Sequence, residues 1–271
     1  MQYVTVQGEE IPALGLGTWQ ITGPACQRAV TDALDLGYRH IDTAQAYDNE
    51  QQVGRGLAES EVDRDEIFLT TKVWHKNLTQ NEVVATTDQS LSKLGTDYVD
   101  LLLVHWPVDD VPFKETFDAM RHLRNEEKVR HLGVSNFPPS KLEEALDYAP
   151  LLCNQVEYHP FLAQTDLLEL CRENDMMLTA YSPLARGHAL RDPTLKEIGE
   201  SHDKSPAQVI LRWLIQQDNV AAIPKAASHQ HRVANLEIFD FELTDEQMAT
   251  IHDLDRNQRI IDPSFAPDWE N

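Results

Sequence analysis

Cysteine is scarce in this chain. Cys26, Cys153 and Cys171 are the only three among 271 residues, and no two have C-x-x-C spacing. That excludes a disulfide framework and leads us to expect reduced thiols in a cytoplasmic protein. Long apolar runs are missing as well. The longest, around 101–104, falls far short of the ~20 residues of a membrane helix. No apolar stretch follows Met1 and the first basic residue is Arg28, so no secretory signal is expected. Basic side chains are the third shortage: 23 against 45 acidic ones, a net charge of −22. A field this negative repels phosphate backbones, which argues against nucleic acid as a partner.

The acidity has two readings. One is an ordinary acidic cytosolic enzyme. The other is adaptation to concentrated salt, supported by nine lysines beside fourteen arginines and by acidic clusters at 63–66 and 242–246. Hydrophobic residues at 41% and charged residues at 25% describe a folded globular chain.

Short β-type runs alternate with helical spacing from end to end. Strands are predicted at 14–17, 39–42, 67–72, 99–105, 129–135, 153–157, 177–181 and 220–223, after a small hairpin around Gly8. Helical spacing marks 25–36, 83–94, 113–123, 141–149, 165–174 and 206–217. Thr79 and Glu82 carry a capping-box signal, and Ser205 with Pro206 marks another helix start. Eight strand–helix units without a linker predict an α/β protein: one (β/α)8 TIM barrel domain over 1–271, close to the ~250 residues typical of that fold. A doubly wound sheet is the alternative. Its phosphate fingerprint is incomplete, because Gln20 stands where G-x-G-x-x-G needs a third glycine after Gly15 and Gly17.

Barrel chemistry sits at the carboxyl ends of strands. Asp42, Tyr47, Lys72 and His105 fall at or just after three neighbouring predicted strand ends. Each alone reads as ordinary: a helix cap, a rim aromatic, a solvated lysine, a packed histidine. Together they form a proton-delivery device. Tyrosine has a pKa near ~10, and an ammonium within ~4–6 Å is expected to lower it, while Asp42 keeps Lys72 charged. His105 can donate to a carbonyl oxygen. No residue supplies electrons, so a hydride donor must come from outside. The eleven histidines suggest no metal site: there is no H-E-x-x-H, and His229 and His231 make at most a weak pair.

The chain resembles the aldo-keto reductase family over nearly its whole length. The stretches that carry the likeness are GLGTWQ (15–20), GYRHIDTAQAYDNE (37–50), FLTTKVW (68–74), DYVDLLLVHWP (97–107), VRHLGVSNF (129–137), NQVEYHP (154–160), AYSPLARG (180–187) and IPKAAS (223–228). The resemblance implies a barrel that binds NADPH in extended form, with Asp42, Tyr47, Lys72 and His105 as catalytic tetrad and Tyr47 as proton donor. It also implies that Ser135, Asn136 and Gln155 hold the nicotinamide carboxamide and that Tyr181 stacks on the ring. Ser182, Leu184 and Ala185 would line the pyrophosphate path, with Lys225 and Ser228 at the 2′-phosphate. Arg232 and Asn235 are further cofactor candidates. The usual arginine six positions past the lysine is His231 here, with Arg232 one step later, and Ala226 and Ala234 also depart from the family pattern. A clamp so thinned suggests NADPH with measurable NADH use. Trp19, Trp74, Trp106 and the tail after Arg259 would wall a pocket for a small carbonyl substrate. A monomer is expected. Rival readings are a lyase using Lys72 as a Schiff base and a slow nucleotide-binding sensor.

Overall fold

The structure, a computed structural model, describes residues 1–269. An antiparallel hairpin of β1 (Tyr3–Val6) and β2 (Glu9–Pro12) comes first, turning through Gln7 and Gly8, both at positive φ. Eight parallel strands follow, each bonded to the next in chain order. They are β3 (Leu16–Gly17), β4 (His40–Asp42), β5 (Phe68–Val73), β6 (Val99–Val104), β7 (Val129–Ser135), β8 (Cys153–Glu157), β9 (Met177–Tyr181) and β10 (Val220–Ala222). Residues before β3 then pair with β10. Gly15 N donates to Ala222 O at 2.9 Å, Ala222 N to Ala13 O at 2.8 Å, and Gly17 N to Pro224 O at 3.2 Å. The ring is thereby closed. Gly17 makes this seam possible, since a Cβ there would lie 2.6 Å from Ile223 O. The glycines of 15–17 therefore serve strand contact, as expected of a strand end and not of a dinucleotide turn.

The helices are α1 (Gly23–Asp35), α2 (Glu50–Glu59), α3 (Gln80–Leu94), α4 (Phe113–Asn125), α5 (Pro139–Leu146), α6 (Thr165–Glu173), α7 (Pro193–Ser201), α8 (Pro206–Ile215), α9 (His229–Leu236) and α10 (Asp245–His252). Each inward face follows three- and four-residue spacing, as with Cys26, Ala29, Val30 and Ala33 of α1. Strands β6 and β8 are buried at every position, β6 as an apolar run broken only by Asp100 and β8 with Asn154, Gln155 and Glu157 among its buried residues.

Three sequence expectations need correction. Thr79 does not form a capping box: its hydroxyl donates to Glu82 Oε2 at 2.6 Å, and no backbone N–H of the helix start donates to that hydroxyl. Helix α2 was not anticipated, because Gly54 and Gly56 interrupt its apolar pattern. These glycines let neighbouring helices approach, since Cβ atoms there would lie 2.5 Å from Leu94 O and 2.7 Å from Gln27 O. Helices α7 and α10 were also missed. Ser205 does cap α8 with a full capping box.

Candidate active site

The carboxyl ends of the strands surround one cavity of about 600 Å³, within the ~300–1,000 Å³ of small-molecule sites. Asp42 closes β4, Tyr47 ends a 3-10 turn at Gln45–Tyr47, Lys72 is the penultimate residue of β5, and His105 follows β6. Lys72 is wholly buried, and its ammonium reaches Asp42 Oδ1 at 2.5 Å, Thr43 O at 2.8 Å and the Tyr47 hydroxyl at 3.3 Å. Those three acceptors use its three protons. Asp42 Oδ2 accepts from Gln155 Nε2 at 2.8 Å.

The rings of Tyr47 and His105 meet edge to face with centroids 5.7 Å apart, and Trp74 lies edge-on to His105 at 5.2 Å. Loops are tied beneath them by buried Asn49, which donates to Thr18 O and Ile21 O and accepts from Thr43 Oγ1. Gln45 fixes the next loop by accepting from Trp74 N and Asn77 Nδ2.

Electrostatics overturn one expectation. Tyr47 is not made more acidic. Loss of water around its hydroxyl, joined by the charge of Asp42, pushes it well above the ordinary tyrosine value. The ammonium is already neutralised by a carboxylate 2.5 Å away, so the phenol faces a nearly balanced ion pair. Burial presses Lys72 below its usual value, opposed by Asp42. Burial and the nearby Lys72 charge hold His105 well below the usual histidine range, so its ring is neutral. The site thus holds a protonated phenol beside a neutral imidazole with one N–H to donate.

A second group of residues continues the groove. Ser135 ends β7, and Asn136 follows at φ 64°, a conformation asparagine tolerates better than most residues. Ser135 Oγ donates to Gln155 O at 2.8 Å, Asn136 Nδ2 to His105 O at 2.9 Å, and the Tyr181 hydroxyl to Asn136 Oδ1 at 2.7 Å. Ser135, Asn136, Gln155, Tyr181, Ser182 and Leu184 all line the cavity, as do Trp19, Trp74, Trp106 and Lys225. Amide and hydroxyl groups beside an exposed aromatic face fit a nicotinamide, and the cations of Arg186 and Lys225 farther along fit phosphates.

Five candidates do not reach the cavity wall. Lys72 lies behind Tyr47, which deprives a Schiff-base reading of an accessible nitrogen. Ala185 is buried behind Leu184. Ser228 caps α9 by accepting from His231 N. Asn235 is buried and bonded to the Tyr38 phenol. Arg232 is also turned inward, bonded to Asp32 Oδ2 at 2.6 Å and Ala226 O at 2.8 Å. Arg186, unread in the sequence, stands in their place: it lies 4.9 Å from the Trp19 ring, at φ 51°. The tail, expected as a pocket wall, contributes Ile261, Pro263 and Phe265. No local pattern marks Arg186, because its place depends on the loop conformation after β9.

Among the described residues no cluster has metal-ligand geometry and no helix is long and apolar enough to cross a membrane. Residues 13–256 match the family described as "Aldo/keto reductase family". The glyoxal reductase of Bacillus subtilis (strain 168) is 42% identical over 256 residues, covering 93% of this chain and 92% of that protein. A crystal structure provisionally named a 2,5-diketo-D-gluconic acid reductase B is 47% identical, with a TM-score of 0.98 over 100% of this chain and 98% of the other. The Bombyx mori aldo-keto reductase solved with NADP is 34% identical, with a TM-score of 0.91 over 100% and 99% of the two chains.

Proposed function

Because this chain belongs to the aldo/keto reductase family and is an NAD(P)H-dependent oxidoreductase, we propose that it reduces small aldehydes, ketones or dicarbonyls to alcohols, with NADPH preferred and NADH used less well. The observation that carries this reading is the Tyr47 hydroxyl, 3.3 Å from the Lys72 ammonium on the wall of an aromatic cavity. Ser135, Asn136, Gln155 and Tyr181 would hold the nicotinamide, and Lys225 with Arg186 the phosphates. When bound, the reduced cofactor supplies a hydride to the carbonyl carbon.

The chain's own residues supply the rest. His105, neutral and facing the cavity, donates to the carbonyl oxygen and orients it. As negative charge grows on that oxygen, Tyr47 transfers its proton to it. The phenol is a poor acid in the resting site, so its proton is released only toward an oxygen far more basic than water. Lys72 stabilises the tyrosinate formed, and Asp42 keeps the ammonium charged and fixed. Trp19, Trp74, Trp106 and Phe265 shield this exchange from water. The glyoxal and diketogluconic acid names of the relatives support dicarbonyls as the substrate class. A panel of aldehydes, ketones and dicarbonyls, followed by loss of nicotinamide absorbance with each cofactor, tests the reading. Cofactor binding without any carbonyl-dependent oxidation would favour the sensor alternative.

A further inference from the structure

Glu157 has no part in the proton delivery described above, yet it is a fully buried carboxylate two residues beyond Gln155 on β8. Burying an anion is costly unless its oxygens are hydrogen-bonded. Its partners are specific. His159 Nε2 donates to Oε1 at 2.9 Å, with the tautomer fixed because His159 Nδ1 accepts from Phe161 N at 3.3 Å. The other donors are backbone amides of the C-terminal tail: Ile260 N at 2.9 Å and Ile261 N at 2.8 Å. These two amides mark the point at which the tail turns onto the cavity.

Beyond them, Ile261, Pro263 and Phe265 line the cavity, and the Phe265 ring meets Trp74 and Trp106 edge-on at 5.5 Å each. The approach to this point is also held by the loop after β8. Gln258 N donates to Phe161 O at 2.8 Å, and Ala163 N to Asp255 Oδ1 at 2.9 Å. We infer that Glu157 is a positioning residue for substrate selection: its carboxylate latches the Ile260–Ile261 backbone and so sets the placement of the tail's pocket wall. β8 thereby serves both ends of the site, with Gln155 bonded to Asp42 and Glu157 bonded to the tail. The inference rests on the carbonyl-reductase reading for its substrate, but the latch is testable without catalysis.

Glu157→Gln keeps the shape but points an amide N–H₂ where the backbone also donates. Expected are faster deuterium uptake across 260–269 and a rise of about 10-fold in KM for a wide aromatic aldehyde relative to glyoxal, the size of one charge-assisted hydrogen bond. The NADPH Kd should not change. Phe265→Ala should shift the same selectivity, and in the double variant the two effects should not add. Uptake and selectivity unchanged from the parent, or fully additive effects, would overturn the latch. If Glu157→Gln fails to fold, the parent decides: Ile260 and Ile261 amides exchanging as slowly as barrel strands support the latch, and exchange as fast as exposed loops ends it. If no carbonyl is reduced at all, the functional reading fails while the exchange measurement still judges the latch.

Discussion

Lys72 and Asp42 lie 2.5 Å apart with both side chains withdrawn from water, one from β5 and one from β4. Neighbouring strands thus exchange an ion pair inside the barrel, and everything the Tyr47 hydroxyl meets on that side is set by it. Breaking such a pair from one side leaves a buried charge uncompensated. Asp42→Asn should therefore destabilise the protein by about 3–5 kcal/mol, read as a lowered urea midpoint, and should also cut turnover. A midpoint matching the parent would show that the pair is solvated in solution.

Tyr47→Phe removes only the hydroxyl. Carbonyl reduction should fall at least ~10²-fold, the lower range for a general acid, while NADPH binding followed by fluorescence is retained. Near-normal turnover would remove Tyr47 from the role of proton donor.

The histidines set the acid side of stability. Burial lowers His105 well below, and His40 below, the ordinary value. The unfolded chain therefore binds protons near pH ~6.5 that the folded protein refuses, and stability is lost as pH falls below that value, by up to ~1.4 kcal/mol per pH unit for each group. Urea midpoints at descending pH should show this slope, and His105→Gln should flatten part of it. The raised Tyr47 value keeps its proton in place on the alkaline side, so reduction should not decline as pH rises toward ~10, the ordinary tyrosine value.

Lys225 and Arg232 are close in sequence but opposite in placement: the first is exposed on the cavity rim, the second is buried against Asp32. Lys225→Ala should raise KM for NADPH about 10-fold, as expected for a charged hydrogen bond, with little change for NADH. Arg232→Ala should leave that preference as it is and lower the urea midpoint, because Ala226 O loses its partner and Asp32 keeps only His229. Steady-state kinetics with both cofactors separates the two cases.

The net charge of −22 provides a last measurement. Molar salt shortens the Debye length to ~3 Å, and ~0.01 M lengthens it to ~30 Å. If the acidity is an adaptation to salt, circular dichroism should report a loosened fold on dialysis to the lower concentration. An unchanged spectrum would assign the charge to an ordinary acidic enzyme.

Much of this was legible because short β-type runs alternate with helical spacing along the chain: β7, β8 and β9 end where the sequence places them. Asp42, Tyr47 and His105 were legible from their position at strand ends. What stayed hidden depends on neighbours far along the chain. Gly54 and Gly56 look like helix breakers until Leu94 O and Gln27 O are seen against them. Thr79…Glu82 and Thr244…Gln247 carry the same type of signal, yet only the second closes as a capping box: Glu82 bonds the Thr79 hydroxyl, whereas Gln247 bonds the Thr244 backbone N–H and donates its own backbone N–H to the Thr244 hydroxyl. The inward turn of Arg232 depends on Asp32, two hundred positions earlier. Glu157 reads as one more acidic residue until the tail amides arrive over it.

The seam beside Gly17 carries a consequence for how the molecule is made. Leu14 waits for Ala222, about 200 residues later. At ~5–20 residues per second of synthesis, the first strand stands without its second neighbour for roughly 10–40 s. Until then the nascent sheet has two open edges, exposed to any extended chain nearby. A ribosome pause before residue 220 would lengthen that exposure.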